Sequence, residues 1–208
     1  RSLANNSIAY KVKPEMGTFM REWTALYESK SGERGIFNRQ SAKKQAAKNG
    51  RRDTDWDFGC NPCSEIILRP YQFCNLSEVV VRDTDTEDTL RRKVGLATTL
   101  GTFQATLTDF KYLRKIWKNN TEEERLLGVS LTGIMDNKLM ADKVRTADLA
   151  EMLEELKAVS VKVNASISKK LGINQSTAIT CVKPSGTVSQ LTDAASGIHA
   201  RHNPYYIR

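Results

Sequence analysis

The chain has 208 residues, 39% of them hydrophobic and 27% charged, with a formal net charge of +8. That balance suits one large globular domain, and the longest apolar runs are far too short to span a bilayer. Four cysteines are too few for a disulfide scaffold. With no export signal in the polar opening Arg1–Asn6, a reducing, cytoplasmic setting is expected, where clustered thiols point to catalysis or metal binding.

In chain order, Met16, Phe19, Met20, Trp23, Leu26 and Tyr27 recur at helical spacing and predict an amphipathic helix over 15–30. Ser31-Gly32-Glu33-Arg34-Gly35 breaks it, ahead of a short buried turn or strand at Ile36–Asn38. Residues 39–52 carry six basic side chains and no acidic one. This is the one linker-like stretch, read as a basic loop or insertion. It suits an anionic partner such as a nucleotide or nucleic acid, and equally a solvated surface helix.

Strands are expected at Cys63–Leu68 and Leu76–Arg82, joined by a turn at Arg69–Gln72. Thr86-Glu87-Asp88-Thr89 offers a cap and an acidic first turn to a long helix. Its face is Leu90, Val94, Ala97, Leu100, Phe103, Leu107, Phe110, Leu113 and Trp117, as one helix or as two broken near Gly101. Leu126–Leu131 reads as a buried strand. A further helix over 147–171 turns Leu149, Leu153, Leu156, Val159, Val163 and Ile167 inward and stops at Gly172. A last strand over 177–182 ends at Pro184. Short apolar strands alternating with long helices predict an α/β fold with parallel pairing.

Two stretches carry chemistry. After the last strand, Pro184-Ser185-Gly186-Thr187-Val188-Ser189 combines a close-approach glycine with three hydroxyls, which suits phosphate oxygens but equally an ordinary turn. Upstream, Cys60-Asn61-Pro62-Cys63-Ser64-Glu65 is followed by Cys74. Zinc would need a second cysteine pair, or a histidine from His199 and His202 at unusually tight spacing. A thioredoxin-like pair would open a helix, whereas this one precedes a predicted strand. On an extended segment Asn61, Cys63 and Glu65 share a face, bringing amide, thiol and carboxylate to one ligand. Glu65 is then a general base and Asn61 a two-way hydrogen bonder. A buried strand with incidental polar residues is the plain alternative, against which stands the cost of burying a carboxylate.

Asn61-Pro62-Cys63-Ser64-Glu65-Ile66 resembles the Asn-Pro-Cys-x-Glu signature of ribonucleotide reductase catalytic subunits. Residues 184–189 look like the same enzymes' substrate-phosphate loop. Ser31–Asn38 and Leu127–Gly133 resemble further family segments, in the family's order. The short step from Cys63 to Cys74 is closer to the adenosylcobalamin-dependent (class II) enzymes than to class I. The resemblance implies a ten-stranded α/β barrel with Cys63 at the tip of a central loop. Cys63 would become a thiyl radical and take the 3′ hydrogen of the ribose. Glu65 would accept the 3′-hydroxyl proton, Asn61 would hold the ribose hydroxyls, and Cys74 would be one of two reducing thiols.

Pro184, Ser185, Gly186, Thr187, Val188 and Ser189 would bind the substrate phosphates, with no metal ligands among the site residues. The cofactor implied is adenosylcobalamin, with no residue here singled out for it. The partners implied are a ribonucleotide substrate, a thioredoxin-like or other dithiol reductant, and nucleotide effectors bound outside this chain. No membrane or nucleic acid is expected, and the product would supply DNA precursors. Because no cysteine precedes Cys60, the second redox thiol is expected outside these residues. The chain is then a middle section of the catalytic barrel, inactive alone. The rival reading is a zinc-bound, nucleic-acid-binding module using Cys60, Cys63, Cys74 and the basic stretch.

Overall fold

The computed structural model describes residues 7–30, 35–141, 146–203 and 205. The chain divides into two compact units, one running through Gln72 and the other from Phe73.

In the first unit, β1 (Ser7–Tyr10) and β2 (Gly35–Asn38) pair in parallel, joined through α1 (Met16–Ser29). The predicted helix is present and ends at Lys30 with a left-handed φ of 48°. Its apolar stripe is open, with Met16, Met20, Trp23 and Tyr27 all exposed. The predicted break at Ser31–Arg34 lies outside the described residues.

The basic stretch is mostly not a loop. Residues Arg39–Ala47 form α2, capped by the Asn38 side chain, which accepts from Ser41 N–H at 3.0 Å. A cap of this kind satisfies one orphan donor of the first turn and sets the helix start. The alternating Gln, Ala and Lys residues then propagate it.

The rest of the unit is built on two buried arginines. Arg52 is 8% exposed and donates to Ile67 O at 2.8 Å and Gln72 Oε1 at 3.3 Å. Its guanidinium lies 4.7 Å from the ring centre of Phe58, which is fully buried. Arg69 stacks similarly on Trp56 at 4.4 Å. These contacts fix a minimal hairpin, β3 (Gly59–Cys60) against β4 (Ile67–Leu68). The expected strand over Cys63–Leu68 is therefore reduced to its last two residues. The residues between β3 and β4 form the loop that carries the signature.

The second unit has a parallel pair, β5 (Asn75–Val80) with β6 (Leu127–Thr132), in register from Asn75↔Leu127 to Val80↔Thr132. The predicted third strand contributes one parallel bridge, Val129↔Thr180, and backbone bonds from Leu127, Val129 and Cys181. Between the strands run α3 (Glu87–Gln104) and α4 (Lys115–Glu124). After β6 come a short 3-10 turn (Ile134–Asp136), α5 (Lys138–Ala141), α6 (Thr146–Leu171) and α7 (Val188–Leu191). Thr86 caps α3 in a reciprocal box with Thr89, as the sequence predicts.

The helix faces differ from the periodic reading. Leu90, Val94 and Ala97 of α3 are buried, but the stripe continues through Thr98, Gly101 and Thr102, leaving Leu100, Phe103 and Leu107 exposed. On α6 the buried line is Met152, Leu156, Ser160, Asn164 and Ser168, while Leu153 is exposed. The reason is a polar seam. Asn164 Nδ2 donates to Thr102 Oγ1 and to Ser176 Oγ, both at 3.0 Å, and its Oδ1 accepts from Ser176 N–H at 2.9 Å. Thr98, Thr102 and Ser160 return their hydroxyls to carbonyls four residues back. Hydroxyls satisfied within their own turn can be buried at little cost, and their small size lets the elements approach closely. Gly101 lies in the same line, where a Cβ would make ordinary contact with Leu127 and Ser77.

Candidate functional site

The loop between β3 and β4 is closed by Asn61. Its main-chain N–H donates to Ile66 O at 3.3 Å and its carbonyl accepts from Ser64 N–H at 2.9 Å. Its side-chain Oδ1 accepts from Ile66 N–H at 3.0 Å. Ser64 sits at φ 64°, in the left-handed region. Asn61, Pro62, Cys63 and Ser64 therefore make a tight turn, and the extended strand expected to align Asn61, Cys63 and Glu65 is not formed. The turn keeps the three residues in one short loop by a different route. Cys63 is exposed near its tip, while Asn61 and Glu65 are half-buried.

The turn gives Asn61 a structural part as well. One lone pair of Oδ1 is engaged by Ile66 N–H, and the amide keeps its second lone pair and both Nδ2 hydrogens. Beside it, Cys60 Sγ lies 3.5 Å from Ser64 Oγ, so Cys60 belongs to the packing of the turn. An open cavity of about 260 Å³ adjoins the loop, lined by Ser7, Ala9, Phe37, Arg39, Cys60 and Asn61 among others.

In the second unit, Cys74 immediately precedes β5 and is half-buried. Phe73 packs on Phe110 and Trp117, and Val79 lies in the core with α3 and α6. Strand alternation turns Cys74, Leu76 and Glu78 to the opposite face. Glu78 is level with Ser130 of β6, and Ser130 Oγ accepts from Lys183 N–H at 3.1 Å. Cys74 and Ser130, which anchors Lys183 just before the 184–189 segment, thus belong to one sheet face, with about 13 Å of strand rise between Cys74 and Glu78. Glu78 was not singled out from sequence. Both its carboxylate oxygens are buried and have no hydrogen-bond partner among the described residues. Its position on the same parity as Cys74 was the available signal.

The 184–189 segment is a buttressed loop. Ser185 is 2% exposed with φ 54°, and its hydroxyl has no hydrogen-bond partner among the described residues. Ser189 Oγ donates to Ser185 O at 2.5 Å, and Ser196 Oγ donates to Pro184 O and Ser185 O at 3.1 and 3.0 Å. Of the three predicted hydroxyls, that of Ser189 is therefore spent on shaping the loop, Ser185 is open to a partner, and Thr187 is exposed. Gly197 closes the turn behind, at φ 53°, where a Cβ would fall 2.9 Å from the Lys183 and Pro184 carbonyl oxygens.

The segment that follows is tied to the end of β6. Asp136 Oδ2 accepts from Ala195 N–H at 2.7 Å, and Arg201 Nε donates to Asp136 Oδ1 at 2.9 Å. The Arg201 guanidinium and the Ala195 N–H hold the Asp136 carboxyl below its ordinary range, against the opposing effect of burial. Arg82 donates to Thr192 O and Asp193 O. None of these supports was legible from sequence, where Asp136 and Arg201 are unremarkable surface-type residues. Among the described residues no group of three or more His, Cys, Asp or Glu can hold a metal ion, which leaves the zinc reading without a ligand set.

No family model matches the chain. An adenosylcobalamin-dependent ribonucleoside-triphosphate reductase of Lactobacillus delbrueckii subsp. bulgaricus is 30% identical over 205 residues, 86% of this chain and 27% of the relative. Similar proteins of the same description come from Lacticaseibacillus paracasei, 26% identical over the whole chain and 30% of the relative, and from Euglena gracilis, 30% identical over 83% of the chain and 23% of the relative. A crystal structure of a B12-dependent (class II) ribonucleotide reductase is similar with a TM-score of 0.56 and 27% identity, covering 73% of this chain and 23% of that one. The chain thus spans about a quarter of the length of the reductases it resembles, with their mixture of helices and strands. No helix among the described residues is long and apolar enough to cross a membrane.

Proposed function

We propose that this chain is part of the catalytic barrel of a cytoplasmic, adenosylcobalamin-dependent ribonucleoside-triphosphate reductase, and that the Asn61–Ile66 turn is its radical loop. One observation carries the reading. An exposed thiol, Cys63, stands on a turn locked by Asn61, in a chain whose similar proteins are reductases of that description. The exposed tip suits oxidation by a cofactor that approaches from outside the loop. Adenosylcobalamin, when bound, supplies the one-electron oxidation that makes the Cys63 thiyl. The described residues single out no corrin-binding set, and the 260 Å³ cavity beside the loop is too small for a corrin ring.

The Cys63 thiyl takes the 3′ hydrogen atom from the ribose. Glu65 accepts the 3′-hydroxyl proton, which weakens the bond to the neighbouring 2′-oxygen, and the 2′-hydroxyl leaves as water after protonation. Asn61 donates an Nδ2 hydrogen to a ribose oxygen while its Oδ1 holds the turn. Two electrons come from a pair of thiols, Cys74 and a second cysteine elsewhere in the protein, which end as a disulfide. Cys63 then returns the hydrogen to C3′. A dithiol protein such as a thioredoxin reduces the disulfide, and nucleotide effectors act at sites outside this chain. The buried Ser185 hydroxyl, without a hydrogen-bond partner among the described residues, and the exposed Thr187 hydroxyl are donors for substrate phosphate oxygens.

The test is product formation by the full-length protein carrying this sequence, with a ribonucleoside triphosphate, adenosylcobalamin and a dithiol. Cys63→Ser and Glu65→Gln should each abolish deoxynucleotide formation while leaving the fold intact. Retention of wild-type activity by both variants would rule the reading out.

A further inference from the structure

The cavity beside the radical loop is furnished as an anion site. Its floor is the face of β1 and β2 that carries Ser7, Ala9 and Phe37. Gly35 lies beneath Ser7, where a Cβ would come within 2.8 Å of Ser7 Oγ. At one end stands Arg39. Its Nε donates to Phe58 O at 2.9 Å, and Phe58 is fully buried, so the guanidinium is anchored to the core of the unit. Its terminal Nη groups have no hydrogen-bond partner among the described residues. At the other end is Asn61, whose Oδ1 is committed to Ile66, so that its Nδ2 is left to donate. Among the described residues no aspartate or glutamate lines the cavity; the nearby Asp57 carboxylate, held low chiefly by Lys11 and in smaller part by Arg39, is engaged in an ion pair with Lys11.

An anchored guanidinium, an outward amide donor and a hydroxyl, with no carboxylate in the lining, select a ligand that presents negatively charged oxygens. We propose that this cavity binds a phosphate group of a ligand engaged at the radical loop, with Arg39 as its principal contact. The inference rests on the reductase reading for the identity of that ligand. Two sources share this chemistry: the polyphosphate of the nucleotide substrate, and the phosphodiester of the cofactor's nucleotide tail. Asn61 belongs to both the cavity and the radical loop, which ties phosphate capture to placement of the ribose. The basic character of the 39–52 stretch is then used at its first residue rather than along its length.

The test uses the full-length protein and Arg39→Gln, with equilibrium binding of a ribonucleoside triphosphate, the corresponding unphosphorylated ribonucleoside, adenosylcobalamin and inorganic tripolyphosphate. Loss of a charge-assisted contact predicts roughly ten- to hundred-fold weaker binding of whichever ligand carries the phosphate. If the substrate supplies it, the triphosphate and tripolyphosphate weaken while the ribonucleoside and the cofactor do not. If the cofactor supplies it, adenosylcobalamin weakens and the triphosphate does not. Slow amide exchange at Ile66 in the variant confirms that the loop is intact. An intact loop with all four affinities unchanged overturns the proposal. Should the wild-type protein bind neither nucleotide nor cofactor, the reductase reading fails, and Arg39-dependent binding of tripolyphosphate still decides whether the cavity is an anion site.

Discussion

The amide of Asn61 has two separable jobs, and a pair of substitutions takes them apart. Its Oδ1 accepts from Ile66 N–H at 3.0 Å, and Ile66 is 5% exposed. Asn61→Ala therefore strands a buried donor, which costs about 1–3 kcal/mol. Asn61→Asp keeps an acceptor at Oδ1 and replaces the outward Nδ2 donor with a charged carboxylate oxygen. Hydrogen exchange at the Ile66 amide reads the first job directly, because each 1.4 kcal/mol of lost protection is about tenfold in rate. Asn61→Ala should speed exchange at Ile66 by roughly ten- to hundred-fold, using that same conversion, while Asn61→Asp should stay near the wild-type rate. Both variants should lose deoxynucleotide formation in the full-length protein, since both lack the donor proposed to hold the ribose. Equal loss of protection in the two variants would show that Oδ1 does not close the turn. Full activity in Asn61→Asp would show that the outward amide has no part in the chemistry.

Other outcomes follow from the same contacts. Asn164→Ala removes three buried hydrogen bonds and orphans the Ser176 N–H; urea melts of the chain should show a loss of about 2–4 kcal/mol in the second unit, and a loss below about 1 kcal/mol would mean that the polar seam is not holding α3 and α6 in place. Gly133 has φ 76°, and a Cβ there would lie 2.4 Å from Val81 O. Gly133→Ala should cost at least the roughly 1–3 kcal/mol of left-handed strain, read as a lowered melting temperature. Asp136 is held below its ordinary value of 3.8 chiefly by Arg201. Burial pushes Asp85 up, but bonds from Lys93, Arg82 N–H and Thr89 outweigh it and hold it below 3.8 as well. The stability these carboxylates contribute is therefore complete above their unfolded values and is lost as pH falls through the lower folded ones. Asp136→Asn should flatten that acid limb of a stability–pH curve, and an unchanged limb would contradict the assignment.

Much of the framework is legible in the sequence because it depends on local rules. The Thr86 cap, the stop at Gly172 and the β5 and β6 strands each follow from a few neighbouring residues. The signature loop was misread as a strand because Ile66–Leu68 is apolar and alternation was extended backwards through it. Pro62 and the left-handed Ser64 make a turn instead, and the Asn61 side chain that closes it has no periodic signature. The buried line of α6 was misjudged because Ser160, Asn164 and Ser168 look like surface residues until Thr102 and Ser176 are seen to answer them. Arg52 shows the same limit: a charge run does not reveal which of its members finds Phe58, Ile67 and Gln72 and is buried. The candidate site residues stand out by residue type and spacing, the resemblance assigns their roles, and their supports, Arg39, Asp136 and Ser196, emerge only from the fold.

The central claim is that Cys63 removes the 3′ hydrogen of a ribonucleotide. The most direct measurement is turnover of a 3′-deuterated ribonucleoside triphosphate by the full-length protein with adenosylcobalamin and a dithiol, alongside Cys63→Ser. The account predicts slower turnover of the deuterated substrate than of the ordinary one, with the deuterium retained at C3′ in the product, and no product from Cys63→Ser. Equal rates for the two substrates, together with product formation by Cys63→Ser, would contradict it.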